Sequence, residues 1–439
     1  MEFINYPADR VFDTLKQYIL VDGFHVIVDL QKSHGSYIVD AASGKEYLDF
    51  YTYFASLPIG HNHPKLLKDE RFMEALRAAA IANPSNSDIY CKEYAAFVEQ
   101  FAGLVKPAHM KHLFFVAGGG LAIENALKTA FDWKVRKNFK KGIQGEKGHQ
   151  VIHFKEAFHG RTGYTMSLTN TDPVKTNYYP KFQWPRIINP KLSFPITDQV
   201  IQDVEKVEQE AVRQIKAAVH ENKDDIACLI IEPIQGEGGD NHFRREFFVQ
   251  LRQLADENDF LLVFDEVQTG MGITGKLWAY EHFGVEPDLF AFGKKAQVCG
   301  IMASSRIDDV EENVFHKSSR INSTWGGNLV DMVRGAKYAE IIREERLIEN
   351  AAEMGRLLLE GLNELAARSG GRITNVRGRG LLAAYDMADG KTRDQFRTRL
   401  WENGLATLSS GTRSVRFRGC LNVTRSEIEK AVSLIERSL

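Results

Sequence analysis

Five short apolar runs, each closing on glycine or a polar cluster, constrain the fold of this chain more than any other feature. They are HLFFVAGGG (112–120), HQVIHFKEAFHG (149–160), ACLIIEPIQGEGG (227–239), FLLVFDEVQTG (260–270) and DLFAFGKK (288–295), and helical periods separate them. Strands that face water on one side alternate apolar with polar residues. These do not alternate, so they suit strands buried on both faces of a mainly parallel sheet. The expected fold class is therefore α/β. In such a sheet, binding groups gather beyond the carboxyl ends of the strands.

A chain of 439 residues is long enough for two or three domains. Residues 24–50 read as strands and turns (FHVIVDL, SYIVDAASG, KEYLDF), and helical periods begin near residue 70. Past about residue 372 the pattern turns mixed: VRGRGLLAAYDM, a helix near RDQFRTRLWENG, then LATLSS, SVRFRG and a last helix opened by Thr424 and Glu427 at capping-box spacing. The expected division is an N-terminal segment, 1–70, that contributes to a small domain, a large domain, 71–330, and a C-terminal small α+β domain, 331–439.

Charged residues make up 26%, the hydrophobic set 44%, and the formal net charge is -2. That ordinary globular balance carries no electrostatic footprint for nucleic acid. The most basic stretch, WKVRKNFKKG (133–142), reads as one wet helix face. The start lacks a basic region followed by an apolar one, and no stretch approaches the ~18 apolar residues of a membrane span. A soluble, cytoplasmic protein is the expectation. Cys91, Cys228, Cys299 and Cys420 show no C-x-x-C spacing and should be reduced thiols. His61 and His63 in IGHNHPK read as turn chemistry beside Gly60 and Pro64, and no metal site is expected.

Beyond the strand ends stand Gly118-Gly119-Gly120, Phe158-His159, Glu232, Asp265 with Gln268, and Lys294. Together they offer a phosphate cradle, an aromatic face, carboxylates and an amine. The glycine run precedes an apolar-periodic helix, whose N-terminal N–H groups attract an anion; a tight turn is the alternative reading. It matches neither the P-loop nor G-x-G-x-x-G, which removes the main support for a nucleotide. Asp265 sits at the mouth of a buried strand and needs a cationic partner. A protonated pyridine nitrogen meets that need: an aspartate holding the ring proton makes the ring an electron sink, while a lysine amine forms the imine. Capping the next helix is the alternative for Asp265. Two lysines compete for the amine, and the local pattern does not separate Lys294 from Lys295.

These residues resemble those of the class III, fold-type I, pyridoxal-phosphate-dependent aminotransferases over nearly the whole chain. FDEVQTGMGITGKLWAYEHFGVEPD (264–288) is similar to the family's signature, and EPIQGEGG (232–239) and STWGGN (323–328) to two further motifs. The resemblance implies a large domain with a mainly parallel central sheet and a smaller α+β domain built from both termini. It selects Lys294, seven residues after Pro287, as the Schiff-base lysine, and leaves Lys295 without a role beyond packing or surface.

By the same resemblance Asp265 pairs with the pyridinium nitrogen, Gln268 contacts the phenolic oxygen side and Phe158 stacks on the ring. Gly119 and Gly120 hold the phosphate through their backbone, and Thr324 reaches it from a neighbouring subunit, which implies a homodimer. The glycine loop lacks the hydroxyl-bearing residue usual in the family, so backbone donors carry more of the phosphate binding.

Within the family, FGKKAQVCG, RINSTWGGN, FHGRTGYTMSLTNT and VDGFHVIVDL resemble the branch that moves the ε-amino group of L-lysine to 2-oxoglutarate, giving L-glutamate and 2-aminoadipate 6-semialdehyde. For that branch Arg416 clamps an α-carboxylate, Glu237 switches onto Arg416 when the substrate presents methylenes there, and Arg161 holds the remote carboxylate. The usual proline-rich turn after the arginine is replaced by RFRGCLNV. An ω-aminotransferase for ornithine or 4-aminobutyrate, and a non-catalytic scaffold, remain as alternatives.

Overall fold

The computed structural model describes residues 6–439. The first five residues of the expected 1–70 segment lie outside the described residues. Seven strands form the central sheet, in the order Met110–Val116, Cys299–Ser304, Leu289–Phe292, Leu261–Asp265, Ile226–Ile231, Gln150–Phe154 and Arg186–Ile187. Every pairing from Leu289–Phe292 to Arg186–Ile187 is parallel. Cys299–Ser304 runs antiparallel to both of its neighbours. The mainly parallel sheet expected from the five apolar runs is what forms.

Successive strand residues point to opposite faces, and the two faces are filled differently. Toward the Gly119–Lys140 helix the strands present Val151, Ile230, Val263 and Ala291, which meet Ala122, Ala126 and Ala130. Toward the other face they present Phe154, Phe264, Phe290 and Phe292, which meet the phenylalanines of the Lys92–Val105 and Arg245–Glu257 helices. Small side chains let one long helix lie close, and aromatic ones fill the wider gap opposite. Each buried side chain of this size contributes about 1.5–3 kcal/mol.

Residues from the two ends of the chain share a sheet. Glu46–Asp49 pairs antiparallel with Tyr37–Val39 and parallel with Leu405–Ala406. A separate antiparallel sheet holds Thr374–Arg379, Leu382–Asp386, Ser414–Arg418 and Leu408–Ser410. Helices Leu347–Arg368 and Gly390–Glu402 cover it, and Arg425–Ser438 packs on those two helices. The capping box at Thr424 and Glu427 forms, with Thr424 N donating to Glu427 Oε2 at 2.7 Å.

Two local expectations fail. FHVIVDL is not a strand and keeps only the Val28–Asp40 bridge, because Asp29 Oδ1 accepts from Gln31 N at 3.0 Å and Lys32 N at 2.9 Å and turns the chain. The basic stretch 133–142 lies at the end of the Gly119–Lys140 helix, but its face is wet only in part, at Lys140 and Lys141. Lys134 is buried and donates to the Asp259 carbonyl at 2.6 Å, while Lys137 and Lys141 pair with the Asp259 carboxylate. Burial works against that carboxylate's charge, yet the two lysines hold its pKa down at about 2. His61 bonds to Asp49 at 3.1 Å and His63 faces Glu345 at 3.3 Å. No helix among the described residues is long and apolar enough to cross a membrane.

The C-terminal sheet meets its covering helix Leu347–Arg368 through a backbone-to-backbone contact: a Cβ on Gly355 would collide with Gly380, which turns at φ +54°. Gly355→Ala should therefore destabilise the protein by about 1–3 kcal/mol through overpacking. Gly103→Ala, in a helix and with open space around its Cβ position, should hold or gain stability. Chemical denaturation of the two variants checks the contrast.

Candidate active site

Residues from different strands converge at the carboxyl edge of the sheet. After Leu289–Phe292 the backbone of Gly293 is extended, and Lys294 then turns to φ +49° in a short 3-10 turn. This reversal sends the two lysines in different directions. Lys295 is buried and donates Nζ to the carbonyls of Gln268 at 2.7 Å and Ala55 at 3.2 Å. Burial, reinforced by the charge of Lys294, holds its amine well below the ordinary value.

Lys294 lies within the electrostatic reach of Arg416 and Asp265. Burial and then the Arg416 charge lower its amine, with Asp265 pulling the other way. The pair thus divides into one amine open to the site and one fastened to the backbone.

The carbonyl of Ala55 belongs to an unusual element. Thr52, Tyr53, Phe54 and Ala55 all have positive φ, between +42° and +65°, a left-handed turn that costs roughly 1–2 kcal/mol per non-glycine residue. Thr52 Oγ1 donates to the Arg418 carbonyl at 2.7 Å, Thr52 N donates to Asp49 Oδ1 at 2.7 Å, and Gln297 Nε2 donates to the Ser56 carbonyl at 2.7 Å. With Lys295, these bonds pin the turn against the site.

Asp265 ends its strand and is buried. His159 Nδ1 donates to its Oδ2 at 2.8 Å, and Val267 N to its Oδ1 at 3.0 Å. Both oxygens are thereby fixed, with lone pairs left for a further donor. Next to it, Glu232 accepts from Phe158 N at 3.0 Å and Gly236 N at 3.1 Å. Burial, opposed by His159 and reinforced by the Asp265 charge, raises Glu232 to about 7. Those bonds fix the loop that presents Phe158, whose half-buried ring has Arg161 at 6.0 Å and Lys175 at 5.8 Å from its centroid. Arg161 itself is exposed.

Strand Ser414–Arg418 brings in two arginines on one face. Arg418 is fully buried and forms a two-pronged ion pair with the equally buried Asp240. Its Nε and Nη2 also donate to Gln268 Oε1, at 3.0 and 2.8 Å, and Arg416 Nη1 reaches the same oxygen at 3.4 Å. Three guanidinium donors fix the amide of Gln268, so its NH2 end is the one that points elsewhere. Arg416 has no carboxylate partner among the described residues, and its buried Nε has no hydrogen-bond partner among them. Burial and then the like charge of Arg418 pull its guanidinium down to about 10.

Gly118 turns at φ +111° and opens the Gly119–Lys140 helix without a side-chain cap, leaving the first N–H groups free. Glu237 does not pair with Arg416 here. Its Oε1 takes Lys175 Nζ and, at 3.1 Å, Thr171 Oγ1. Thr324 is exposed, on a segment tied to Asn86 and Ser87, and makes no side-chain hydrogen bond with the other described residues.

The arrangement of an amine, a carboxylate held for a cation, an aromatic face and an uncapped helix end has counterparts among known proteins. Residues 19–439 match the family profile described as aminotransferase class-III. The chain is a class III aminotransferase. The enzyme is 49% identical over 431 residues to the L-lysine-epsilon aminotransferase of Mycobacterium tuberculosis, covering 98% of this chain and 95% of that one. It is 47% identical to the protein of the same name from Streptomyces clavuligerus, covering 99% and 95%. A solved lysine aminotransferase from M. tuberculosis superposes with a TM-score of 0.97 at 48% identity, covering 99% of each chain.

The aminotransferase also contains site residues that sequence reasoning did not assign. Arg418 lies two positions from Arg416 in a strand and so had to share its face, a signal that was present. His159 follows Phe158 directly. Asp240 and Lys175 carry no local pattern, because their partners come from distant loops. Two results should follow. Lys294→Ala should lose the yellow colour of bound cofactor while Lys295→Met keeps it and melts a few degrees lower, since two buried carbonyls lose their donor; absorption spectra and thermal melts read this.

Glu266, buried against Thr269 and Tyr280 N, is raised by burial to about 7. A carboxyl raised in the folded state stabilises most below its unfolded value, and stability is lost as pH rises through about 7. Glu266→Gln should flatten that loss between pH 5 and about 8 in melts across pH.

Proposed function

We propose that this class III aminotransferase binds pyridoxal 5′-phosphate and transfers the ε-amino group of L-lysine to 2-oxoglutarate, giving L-glutamate and 2-aminoadipate 6-semialdehyde. The observation that carries it is Arg416, a buried guanidinium without a carboxylate partner among the described residues, whose charge acts on the amine of Lys294. A carboxylate receptor within reach of an amine is what an amino-acid transaminase needs.

The donor set fits the cofactor. The uncapped N–H groups at Gly119 and Gly120 suit a phosphate. Asp265, with both oxygens fixed, would hold a pyridinium proton, the free amide end of Gln268 would donate to a phenolic oxygen, and Phe158 would cover a ring face. When bound, the cofactor supplies an electron-withdrawing ring that accepts charge from the substrate carbon. Lys294 Nζ is the group that takes the proton from the reacting carbon of the donor and returns it to that of the acceptor; its lowered proton affinity suits both directions.

The two substrates differ at the reacting end. Glutamate presents a carboxylate there and lysine presents methylenes. Arg416 answers the first, and Glu237 moving onto Arg416 answers the second by covering a charge that would otherwise face apolar groups. Arg161 takes the remote carboxylate of either. The choice of lysine is supported by the names of relatives at 47–49% identity. A homodimer is supported by exposed Ile89, Tyr90 and Trp325, which lie on segments that hydrogen-bond to one another; Thr324, in the same patch, would serve the phosphate of the second copy.

Steady-state rates with L-lysine, L-ornithine and 4-aminobutyrate, each against 2-oxoglutarate, test the assignment. L-Lysine should lead in kcat/KM by about tenfold or more, the weight of one methylene or a missing carboxylate. Leadership by either rival would move the enzyme to that branch. Arg416→Met should cut kcat/KM for 2-oxoglutarate by roughly 30-fold or more and affect lysine less.

A further inference from the structure

The pair between Lys175 and Glu237 has no part in the scheme above, yet it sits where the two substrates are told apart. Lys175 ends the short Pro173–Lys175 turn, which Asp172 fixes by accepting from Val174 N at 3.0 Å. Its Nζ lies 5.8 Å from the Phe158 ring centroid and contacts Glu237 Oε1. Thr171, from the same loop, donates to that oxygen at 3.1 Å.

The backbone that carries Glu237 has little freedom. Gly411 N donates to the Glu237 carbonyl at 2.8 Å, and the neighbouring Gly238 packs so tightly on the Glu156 carbonyl that no Cβ fits. Movement of Glu237 is therefore movement of its side chain alone.

Charge in the cleft is lopsided. Burial acts against the Lys175 ammonium, Asp172 opposes that effect, and Arg161 and Arg416 add like charge. Glu237 is the carboxylate in contact with Lys175, and among the described residues Arg416 has none. If Lys175 were neutral, the buried and unpaired Arg416 would be the strongest attraction left for Glu237, and a carboxylate settled there competes with any substrate carboxylate.

We infer that Lys175 is a specificity-determining residue that parks Glu237 away from Arg416, so that Arg416 stands open to a carboxylate of a dicarboxylic substrate. The same pair opposes the swing of Glu237 that a substrate with methylenes at Arg416 requires, so Lys175 sets the balance between the two kinds of substrate. The inference rests on the proposed function for the identity of the second substrate and stands apart from it for the first.

Glutarate binding, measured by titration calorimetry on the protein purified with its cofactor, tests this without turnover. Lys175→Met should weaken glutarate about tenfold, the size of an ordinary coupling between charged sites, and Lys175→Arg should stay close to the parent. Adding Glu237→Gln to Lys175→Met should restore affinity, because no carboxylate is left to occupy Arg416. Thermal melts of each variant establish that it is folded.

Unchanged affinity in Lys175→Met would overturn the inference. So would a loss that persists in the double variant, which would mean that Lys175 binds glutarate directly. If glutarate follows the expected pattern while L-lysine fails as a donor, the substrate reading falls and the role of Lys175 stands. If L-lysine is the preferred donor and glutarate ignores Lys175, the reverse holds.

Discussion

The buried ion pair between Arg418 and Asp240 is the constraint on which the rest of the site depends. Both side chains are wholly removed from water, where breaking one partner of such a pair costs about 3–5 kcal/mol. The pair joins the C-terminal sheet to the loop that follows the Ile226–Ile231 strand. Arg377 adds to that junction by donating to the carbonyls of Gly239 at 3.2 Å and Asp240 at 3.0 Å. Because Arg418 has Asp240, its second set of donors is free to hold Gln268, which fixes which end of that amide faces the site. And because one carboxylate serves one arginine, Arg416 is left as a buried cation in need of an anion. A stable junction and an unfilled carboxylate receptor thus come from the same strand.

The adjacent lysines divide labour in a comparable way. One backbone reversal at Lys294 separates them, so that the first amine feels the charges of Arg416 and Asp265 while the second is taken up by two carbonyls. Lys295 is costly to bury, and what it secures is a left-handed turn at 52–55 that would relax without donors. Strain in the turn, desolvation of Lys295 and the position of Lys294 are coupled through a few hydrogen bonds, which is why a side chain that touches no reacting atom belongs to the architecture of the site.

Much of the fold was legible because the physics is local. Uniformly apolar runs named the parallel strands, and capping-box spacing named the last helix. The failures were local patterns overridden by partners elsewhere. FHVIVDL has strand composition but yields to the Asp29 turn, and the lysine stripe at 134, 137 and 141 looks like a wet face until Asp259, from a distant loop, draws it in. The site followed the same division. Asp265 could be argued from its place at a strand mouth, whereas the choice of Lys294 over Lys295 needed family resemblance, since it turns on one positive φ that no residue pattern announces. Lys175 was invisible for the reason that Asp259 was: its meaning lies in a residue more than sixty positions away in sequence.

The central claim is that nitrogen leaves the far end of lysine and arrives on the oxo acid. Incubating the enzyme with 2-oxoglutarate and L-lysine carrying nitrogen-15 at either the ε or the α position, then analysing the glutamate by mass spectrometry, tests it directly. The account predicts labelled glutamate from the ε-labelled substrate and unlabelled glutamate from the α-labelled one. Label arriving from the α position, or no glutamate at all, would contradict it.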